Sequence, residues 1–591
     1  MNLNPAQQQA VDTDSPLVLV VASPGSGKTR VLVSRIQRLL GQGVRPERIC
    51  AVTFTNQAAK EMAQRLKARC CNRDYDEDGN CDRHPNGVAL GHCGTLHSLM
   101  FKLLARFGSL VGLPGNISVL DERKALEVLE DCAKHVGYKG SDKLLASTAA
   151  DWREWNAPAR NPGKVSLAVK EYNHRLKAGG ALDFDRVLWF GEQLVTKLTV
   201  EQLGFDHVLV DEFQDSGDVD ARIYKALAVP NKFFVGDTDQ SIYGFRGGNV
   251  AHILDLALQT SVGGIGEKFF LETNYRSDRH ICACAQRLIE RNVNRVNKAI
   301  NPRPDAQFGT VEFKAFPDAA SELAWIANSI TRQLEPGAMD VRLIRSFAVL
   351  FRTNALADAA RDYLRGLGLP VAATPTVEVE TPVRRVAKAL LAFALNPYND
   401  TLALDFIRIA RGEEQAKVAA CAAAGALQSV NSAVLKFTPL NGDQPCSIRE
   451  LASCFDMSGI TPPDPVVHEF IHEATTLAQP FTLGDLLLSL SRRREKEQDK
   501  QPGQVFVGTA HSAKGLEWDA VFVGGVEQEV WPGRGDCEEE RRLLYVAATR
   551  ARHWLGVSWV AARACPFATW KSEPRTVSGF VAEMGWTGGT P

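Results

Sequence analysis

Neither sign of charge prevails in this chain: 68 lysines and arginines stand against 69 aspartates and glutamates, a formal net charge of −1. That balance excludes a protein-wide basic field, so any contact with a polyanion must come from a local groove. Long apolar runs are missing too. The longest near the N-terminus, LVLVVA at 17–22, is far too short to span a bilayer. MNLNPAQQQAVDTD lacks the basic and apolar regions of a secretory signal. A soluble, cytoplasmic protein with no membrane partner is expected. With no export signal, the 13 cysteines, mostly scattered, give little reason to expect disulfides. No repeat or long low-complexity tract stands out, and no second run of carboxylates with a lysine points to an attached nuclease.

What is present is ordinary globular composition, 45% hydrophobic and 23% charged over 591 residues, with room for several domains. Short β-rich runs alternate with helical patterns: LVLVVA (17–22), ICAVTF (49–54), HVLVD (207–211), KFFVGD (232–237), SFAVLF (346–351), VFVGTA (505–510) and AVFVGG (520–525). Such alternation predicts an α/β fold with parallel sheets covered on both faces. The runs fall into two groups, roughly 1–275 and 276–575, and each is interrupted by a stretch of helical pattern, 99–185 and 377–500. We therefore expect one lobe from 1–98 and 186–275, a second from 276–376 and 501–575, a mainly helical insertion in each, and a frayed tail at 576–591.

ASPGSGKT at 22–29 follows a strand and opens the helical pattern TRVLVSRIQRLL. Gly25 and Gly27 let the loop of Ala22, Ser23, Pro24 and Ser26 wrap around phosphates at a helix N-terminus, with every backbone N–H available as a donor except at Pro24, which has none. Lys28 supplies a point charge, and the Thr29 hydroxyl can hold Mg²⁺. The first position is alanine where the motif has glycine. The acidic partner belongs at the end of another strand, and FDHVLVDEFQD supplies it: Asp211 can position Mg²⁺ while Glu212 orients and deprotonates an attacking water.

Taken in order, LNPAQQQAV (3–11), ASPGSGKT, AVTFTNQAAKEM (51–62), GTLHS (94–98), VLVDEFQDS (208–216), VGDTDQSIYGFRGG (235–248), LETNYRSD (271–278), VGTAHSAKGLEWDAVFV (507–523) and EEERRLLYVAATRAR (538–552) resemble the successive motifs of superfamily 1 DNA helicases of the UvrD/Rep group. The resemblance implies two RecA-like lobes, ATP with Mg²⁺, and single-stranded DNA or its junctions with duplex as partner. It implies that Gln7 reads the adenine edge, that Arg30 and Tyr275 sandwich the base, and that Glu517 holds the ribose. Gln240 resembles the γ-phosphate sensor, and Arg276 and Arg550 resemble arginine fingers. Phosphoryl transfer independently needs cations beyond Lys28 and Mg²⁺.

For DNA, the resemblance points to Phe54, Thr55 and Asn56, to His97, to Tyr243, Phe245 and Arg246, and to His511. Aromatic stacking is sequence-tolerant because every base offers a π-face; core packing is the plain alternative for Phe54 and Phe245. Leu96 stands where relatives commonly have phenylalanine. A strand-separating hairpin is implied near 562–572, with Phe567 or Trp570 at its tip. The implied activity is ATP-dependent, 3′ to 5′ translocation and unwinding. The alternatives are a DNA-stimulated ATPase switch that needs a loading or regulatory protein to unwind, and an RNA helicase.

The one cysteine cluster, CCNRDYDEDGNCDRHPNGVALGHC at 70–93, is inserted where relatives connect more directly. Cys70 or Cys71, Cys81, His84 and either His92 or Cys93 are candidate ligands for a structural Zn²⁺, with a solvated loop of unpaired thiols as the alternative. A Ca²⁺ loop is disfavoured because Pro85 stands where an EF-hand needs its bidentate glutamate.

Overall fold

The computed structural model describes residues 3–70, 90–138, 164–261, 266–334, 344–372, 382–396, 402, 445–446, 464–474, 477, 481–491, 504–565 and 568–587. Its framework is two parallel sheets. The first comprises β1 (Leu17–Ala22), β2 (Ile49–Thr53), β3 (His92–Thr95), β4 (His207–Val210), β5 (Asn231–Gly236) and β6 (Glu267–Leu271), in the order β3-β2-β4-β5-β1-β6. β1 is apolar throughout and interior to the sheet, paired with β5 through Leu19↔Phe234 and with β6 through Val20↔Phe269. A strand buried on both faces has no polar alternation to keep.

The second sheet comprises β7 (Thr310–Phe316), β8 (Phe347–Phe351), β9 (Val505–Thr509), β10 (Trp518–Val523) and β11 (Ala551–Val560), in the order β7-β11-β10-β8-β9. All its pairings are parallel. The expected α/β class and the two lobes are therefore present. In sheets of this kind ligands gather beyond the C-terminal ends of the strands; Lys28, Asp211, Glu212, Gln240 and Arg276 follow β1, β4, β5 and β6 there, whereas Glu517 and Arg550 immediately precede β10 and β11 of the second sheet.

Helices Leu96–Phe107, Glu122–His135, Lys164–Gly179 and Phe184–Val195 lie between β3 and β4; Pro382–Leu395, Asp464–Ala474 and Leu483–Ser491 lie between β8 and β9. The two helical groups share one apolar core, in which Leu99, Phe101 and Leu129 join Leu390, Leu391, Leu486 and Leu487. Polar contacts back it: Asn396 Nδ2 donates to Gly179 O at 2.8 Å, and Lys388 pairs with Asp121. Among the described residues no helix is long and apolar enough to cross a membrane.

Two expectations need correction. Residues 576–587 are not frayed: helix Gly579–Glu583 buries Phe580 and Val581, with Met584 beside them, and Trp586 meets Trp559 edge to face at 5.0 Å. Arg541 reaches this segment twice, by an ion pair to Glu583 at 2.7 Å and over the Phe580 ring at 4.9 Å. Residues 588–591 lie outside the described residues. The hairpin after β11 is present as antiparallel Ala562–Cys565 and Ala568–Pro574. Trp570, however, belongs to its return strand, not its tip, and Phe567 lies outside the described residues.

Candidate nucleotide and DNA site

The loop after β1 turns at Gly25 (φ 66°) and Gly27 (φ 84°), backbone that a Cβ would strain, before helix Lys28–Gly41 begins. Each glycine also allows a close approach: a Cβ on Gly25 would lie 2.7 Å from Arg276 Cβ, and one on Gly27 3.0 Å from Gln7 Nε2. Ser23 is turned away from the phosphate position, since its amide and hydroxyl both donate to Leu271 O, at 2.9 and 3.0 Å. Its part is to tie the loop to β6. Gln7 is buried within a capping box, accepting from Asn4 N at 3.0 Å, while its Nε2 donates to Ser26 O at 2.8 Å. Gln7 thus braces the loop, a contact the sequence reading did not foresee. Tyr275 is tied to the same structure, its hydroxyl accepting from Asn4 Nδ2 at 2.7 Å. Arg30 lies in the first turn of the helix that Lys28 opens, half-buried.

The acids predicted to face Lys28 do so. Lys28 Nζ lies 3.0 Å from Glu212 Oε2, and Thr29 Oγ1 lies 3.5 Å from Asp211 Oδ2. Glu212 adopts φ 51°, the only non-glycine positive φ among the described residues, which turns its carboxylate toward the lysine. Burial opposes ionisation of both acids. For Asp211, burial and the adjacent Glu212 push the carboxyl up to about 7; for Glu212, Lys28, Lys514 and hydrogen bonds from Gln214 and Lys28 override burial and hold it at about 2.

Gln240 closes the short turn that follows β5. Its Nε2 donates to Asp237 Oδ2 at 2.5 Å, and its Oε1 accepts from Arg550 Nη2 at 3.3 Å. Arg550, 2% exposed, otherwise bonds the carbonyls of Val546 (2.9 Å) and Leu516 (3.4 Å) and the Thr549 hydroxyl (3.2 Å). Among the described residues it makes no ion pair, and burial, followed by nearby Arg276, pushes its guanidinium down to about 9. Arg276 is held differently: Asn274 Oδ1 accepts from its amide at 2.8 Å, and its Nε pairs with Glu517 Oε2 at 2.6 Å. Glu517 also pairs with Arg552, so it is counter-ion to two arginines.

The DNA-facing candidates form a run of rings. Phe54 and Tyr243 stack at 5.4 Å and 12°; Phe245 meets Tyr243 edge to face at 6.0 Å and His511 at 5.4 Å. Phe54 is 41% and Phe245 67% exposed, which removes core packing as their role. Thr55 caps helix Asn56–Cys70, accepting from Ala58 N at 3.1 Å, and Asn56 reaches Ser489 at 3.4 Å. His97 packs edge to face on Phe184 at 5.7 Å. Arg246 lies in the turn Gly244–Arg246, and its side chain is outside the described residues.

One residue the sequence reading missed joins these two halves. Lys514 Nζ bonds Asp215 Oδ1 and Oδ2 at 2.7 and 2.5 Å and Gln240 O at 2.8 Å, and lies 4.7 Å over the Tyr243 ring. Its signal was only a basic residue inside TAHSAKG.

Two family models cover most of the chain: the UvrD/REP helicase N-terminal domain over residues 3–260, and the UvrD-like helicase C-terminal domain over 269–409 and 448–562. The chain belongs to the UvrD/REP helicase family. It is similar to a probable DNA helicase II homolog of Rickettsia conorii, 27% identical over 655 residues that span 98% of this chain and 96% of the relative. Similarity to the ATP-dependent DNA helicase PcrA of Bacillus subtilis is 27% over 634 residues, covering 94% and 82%. DNA helicase II of Haemophilus influenzae is 27% identical over 657 residues, covering 98% and 87%. As a member of the family the chain is an ATP-dependent DNA helicase of the UvrD type.

Most of the zinc candidates, Cys71, Cys81, His84 and the Cys70 side chain, lie outside the described residues. His92 and Cys93 are on β3, where the His92 ring contacts Thr95 O at 3.2 Å and the Cys93 thiol donates to Ala59 O at 3.6 Å. Burial pushes that thiol up to about 12, the opposite of what a thiolate ligand requires. No cluster of three potential ligands occurs among the described residues.

Proposed function

We propose that this family member hydrolyses ATP in the cleft between its lobes and uses the closing and opening of that cleft to draw single-stranded DNA 3′ to 5′ and part the duplex ahead. The observation that carries this is Arg550: a second-lobe guanidinium, buried, making no ion pair among the described residues, bonded to Gln240 of the first lobe and near enough to Arg276 and Glu212 to feel their charge. A cation held at that cost suits the charge that develops on a transferring phosphoryl group. Arg276 is the second such cation, and Gln7, Arg30, Tyr275 and Glu517 line the side where the nucleoside fits.

Thr29 and Asp211 would hold Mg²⁺. Both offer hard oxygens, and the buried Asp211 carboxyl, pushed up to about 7, gains from a cation on its side of the site. That ion would neutralise phosphate charge. Lys28 is paired with Glu212; phosphates that drew Lys28 toward themselves would release the Glu212 carboxylate to accept the proton of an attacking water. Nucleotide binding thereby activates its own base.

Bases of the strand would stack along Phe54, Tyr243 and Phe245, with His97 and His511 at the borders of the groove. The test is unwinding of duplexes bearing either a 3′ or a 5′ single-stranded tail, with and without ATP. Only 3′-tailed duplex is expected to be opened. Unwinding from 5′ tails would overturn the polarity, and strong DNA-stimulated ATPase without unwinding would favour a switch that awaits a partner protein.

A further inference from the structure

The segment after β5 carries two acids, Asp237 and Asp239, to which neither phosphate nor DNA binding assigns a role. Both are fully buried, and both are met by cations that follow helix Arg279–Ile289 of the other lobe. Arg295 grips Asp239 through two bonds, Nε to Oδ1 at 2.9 Å and Nη2 to Oδ2 at 2.8 Å. Lys298 Nζ lies 2.6 Å from Asp239 Oδ2 and 2.7 Å from Asp237 Oδ1. Asp237 Oδ1 also accepts from Asp239 N at 3.0 Å, which leaves Oδ2 for Gln240 Nε2 at 2.5 Å. Two acids and two bases thus close a neutral, buried quartet.

Such a quartet is a poor way to gain stability, since desolvating four charges costs what apolar packing of the same volume would avoid. What apolar packing cannot supply is a fixed acceptor for an amide nitrogen. A glutamine carboxamide presents a donor on one side and an acceptor on the other, and turning it over exchanges them. With Asp237 holding Nε2, Oε1 is directed to Arg550 Nη2 at 3.3 Å. Turned over, the amide would set its oxygen against a carboxylate and its N–H against a guanidinium.

We propose that Asp237 and Lys298 are positioning residues for ATP hydrolysis, holding the Gln240 carboxamide with its oxygen on Arg550 and its amide nitrogen on the Asp237 side. Lys298 fills the far oxygen of Asp237 and so stops that carboxylate rotating off the amide. The same segment is tied to the helix that leads to Arg550, Arg542 Nη2 donating to Asn294 O at 3.0 Å, so sensor and finger are set by one scaffold. The proposal rests on reading Gln240 as the γ-phosphate sensor.

The experiment is a double-mutant cycle in DNA-stimulated ATPase. Lys298→Met and Asp237→Asn are made in the wild-type chain and in Gln240→Ala. In the wild type each is expected to lower kcat about tenfold, the scale of one hydrogen bond to a charged group. KM for ATP and Kd for single-stranded DNA should stay within about twofold, because the quartet touches neither ligand. In Gln240→Ala neither should lower kcat further. Losses that multiply with Gln240→Ala, an unchanged kcat, or a raised KM at constant kcat would each overturn the proposal. Should Lys298→Met fail to fold, the isosteric Asp237→Asn carries the same test. If Gln240→Ala alone keeps wild-type turnover, the sensor reading fails; if Gln240→Ala is impaired while the two variants are not, only the positioning role falls.

Discussion

Replacing Arg550 with methionine should separate catalysis from folding. Burial and the nearby Arg276 push the guanidinium down from its usual 12.5 to about 9. At pH 7 the group is charged both folded and unfolded, so its depressed folded value means that the native state holds the charge at a cost, on the order of 5 kcal/mol. Against that stand its hydrogen bonds to Val546 O, Leu516 O, Thr549 Oγ1 and Gln240 Oε1, at about 1 kcal/mol each or about 4 kcal/mol together. Methionine keeps most of the side-chain length and leaves little cavity. The two sums nearly cancel, so stability without nucleotide should change by less than about 2 kcal/mol. Turnover should not survive: an arginine finger is worth about 10³–10⁵ in kcat. The assays are DNA-stimulated ATPase and thermal unfolding, with and without a non-hydrolysable ATP analogue, which should stabilise the variant less than the wild type. A nucleotide-free protein destabilised by more than about 4 kcal/mol would make Arg550 a structural residue; retained turnover would remove it from the site.

Glu212→Gln should bind an ATP analogue at least as tightly as the wild type, since Lys28 no longer has a carboxylate to leave, while steady-state hydrolysis falls by about 10²–10⁴; near-normal hydrolysis would end its assignment as the base. Phe54→Ala and Phe245→Ala should each weaken single-stranded DNA binding by about 1–3 kcal/mol, measured by fluorescence anisotropy, and leave the thermal midpoint almost unchanged because both rings are exposed. A large loss of thermal stability in either variant would return that ring to a packing role.

Features carried by a few adjacent residues were legible in the sequence. The seven apolar runs all became strands, because a strand buried on both faces is apolar along its whole length. The strands passed over are of a different kind. In β7, TVEFKAF keeps polar residues on an incompletely buried edge strand, β6 begins with an exposed glutamate and a lysine, β3 has only four residues, and the interior β11, ARHWLGVSWV, has its apolar residues interrupted by Arg552, His553, Gly556 and Ser558. The C-terminal segment was misread because its glycines suggest fraying, whereas Phe580, Val581 and Met584 are what anchor it. The site divides the same way. Lys28, Thr29, Asp211 and Glu212 announce themselves at strand ends. Lys514, Arg295 and Lys298 do not, because each acquires its role from an acid 56 to 299 positions away. The same limit hid Glu517 as counter-ion to Arg276.

Those long-range pairs also bear on how fuel and track are coupled. Lys28 and the acids facing it belong to the first lobe, whereas Arg550 and Lys514 belong to the second, so the hydrolytic site proposed above needs both lobes. Lys514 is the narrowest point between the two functions. It bonds Asp215, three residues beyond Glu212, and the backbone carbonyl of Gln240, while its charge lies over Tyr243, the ring that stacks on Phe54. Opening the cleft must break the ion pair and the cation–π contact together, because one ammonium makes both. Asp215, the Gln240 backbone and the Tyr243 ring therefore cannot move away from Lys514 independently of one another. We expect a strand that displaces Tyr243 from Phe54 to act on a lysine that adds to the pull of Lys28 in keeping Glu212 ionised.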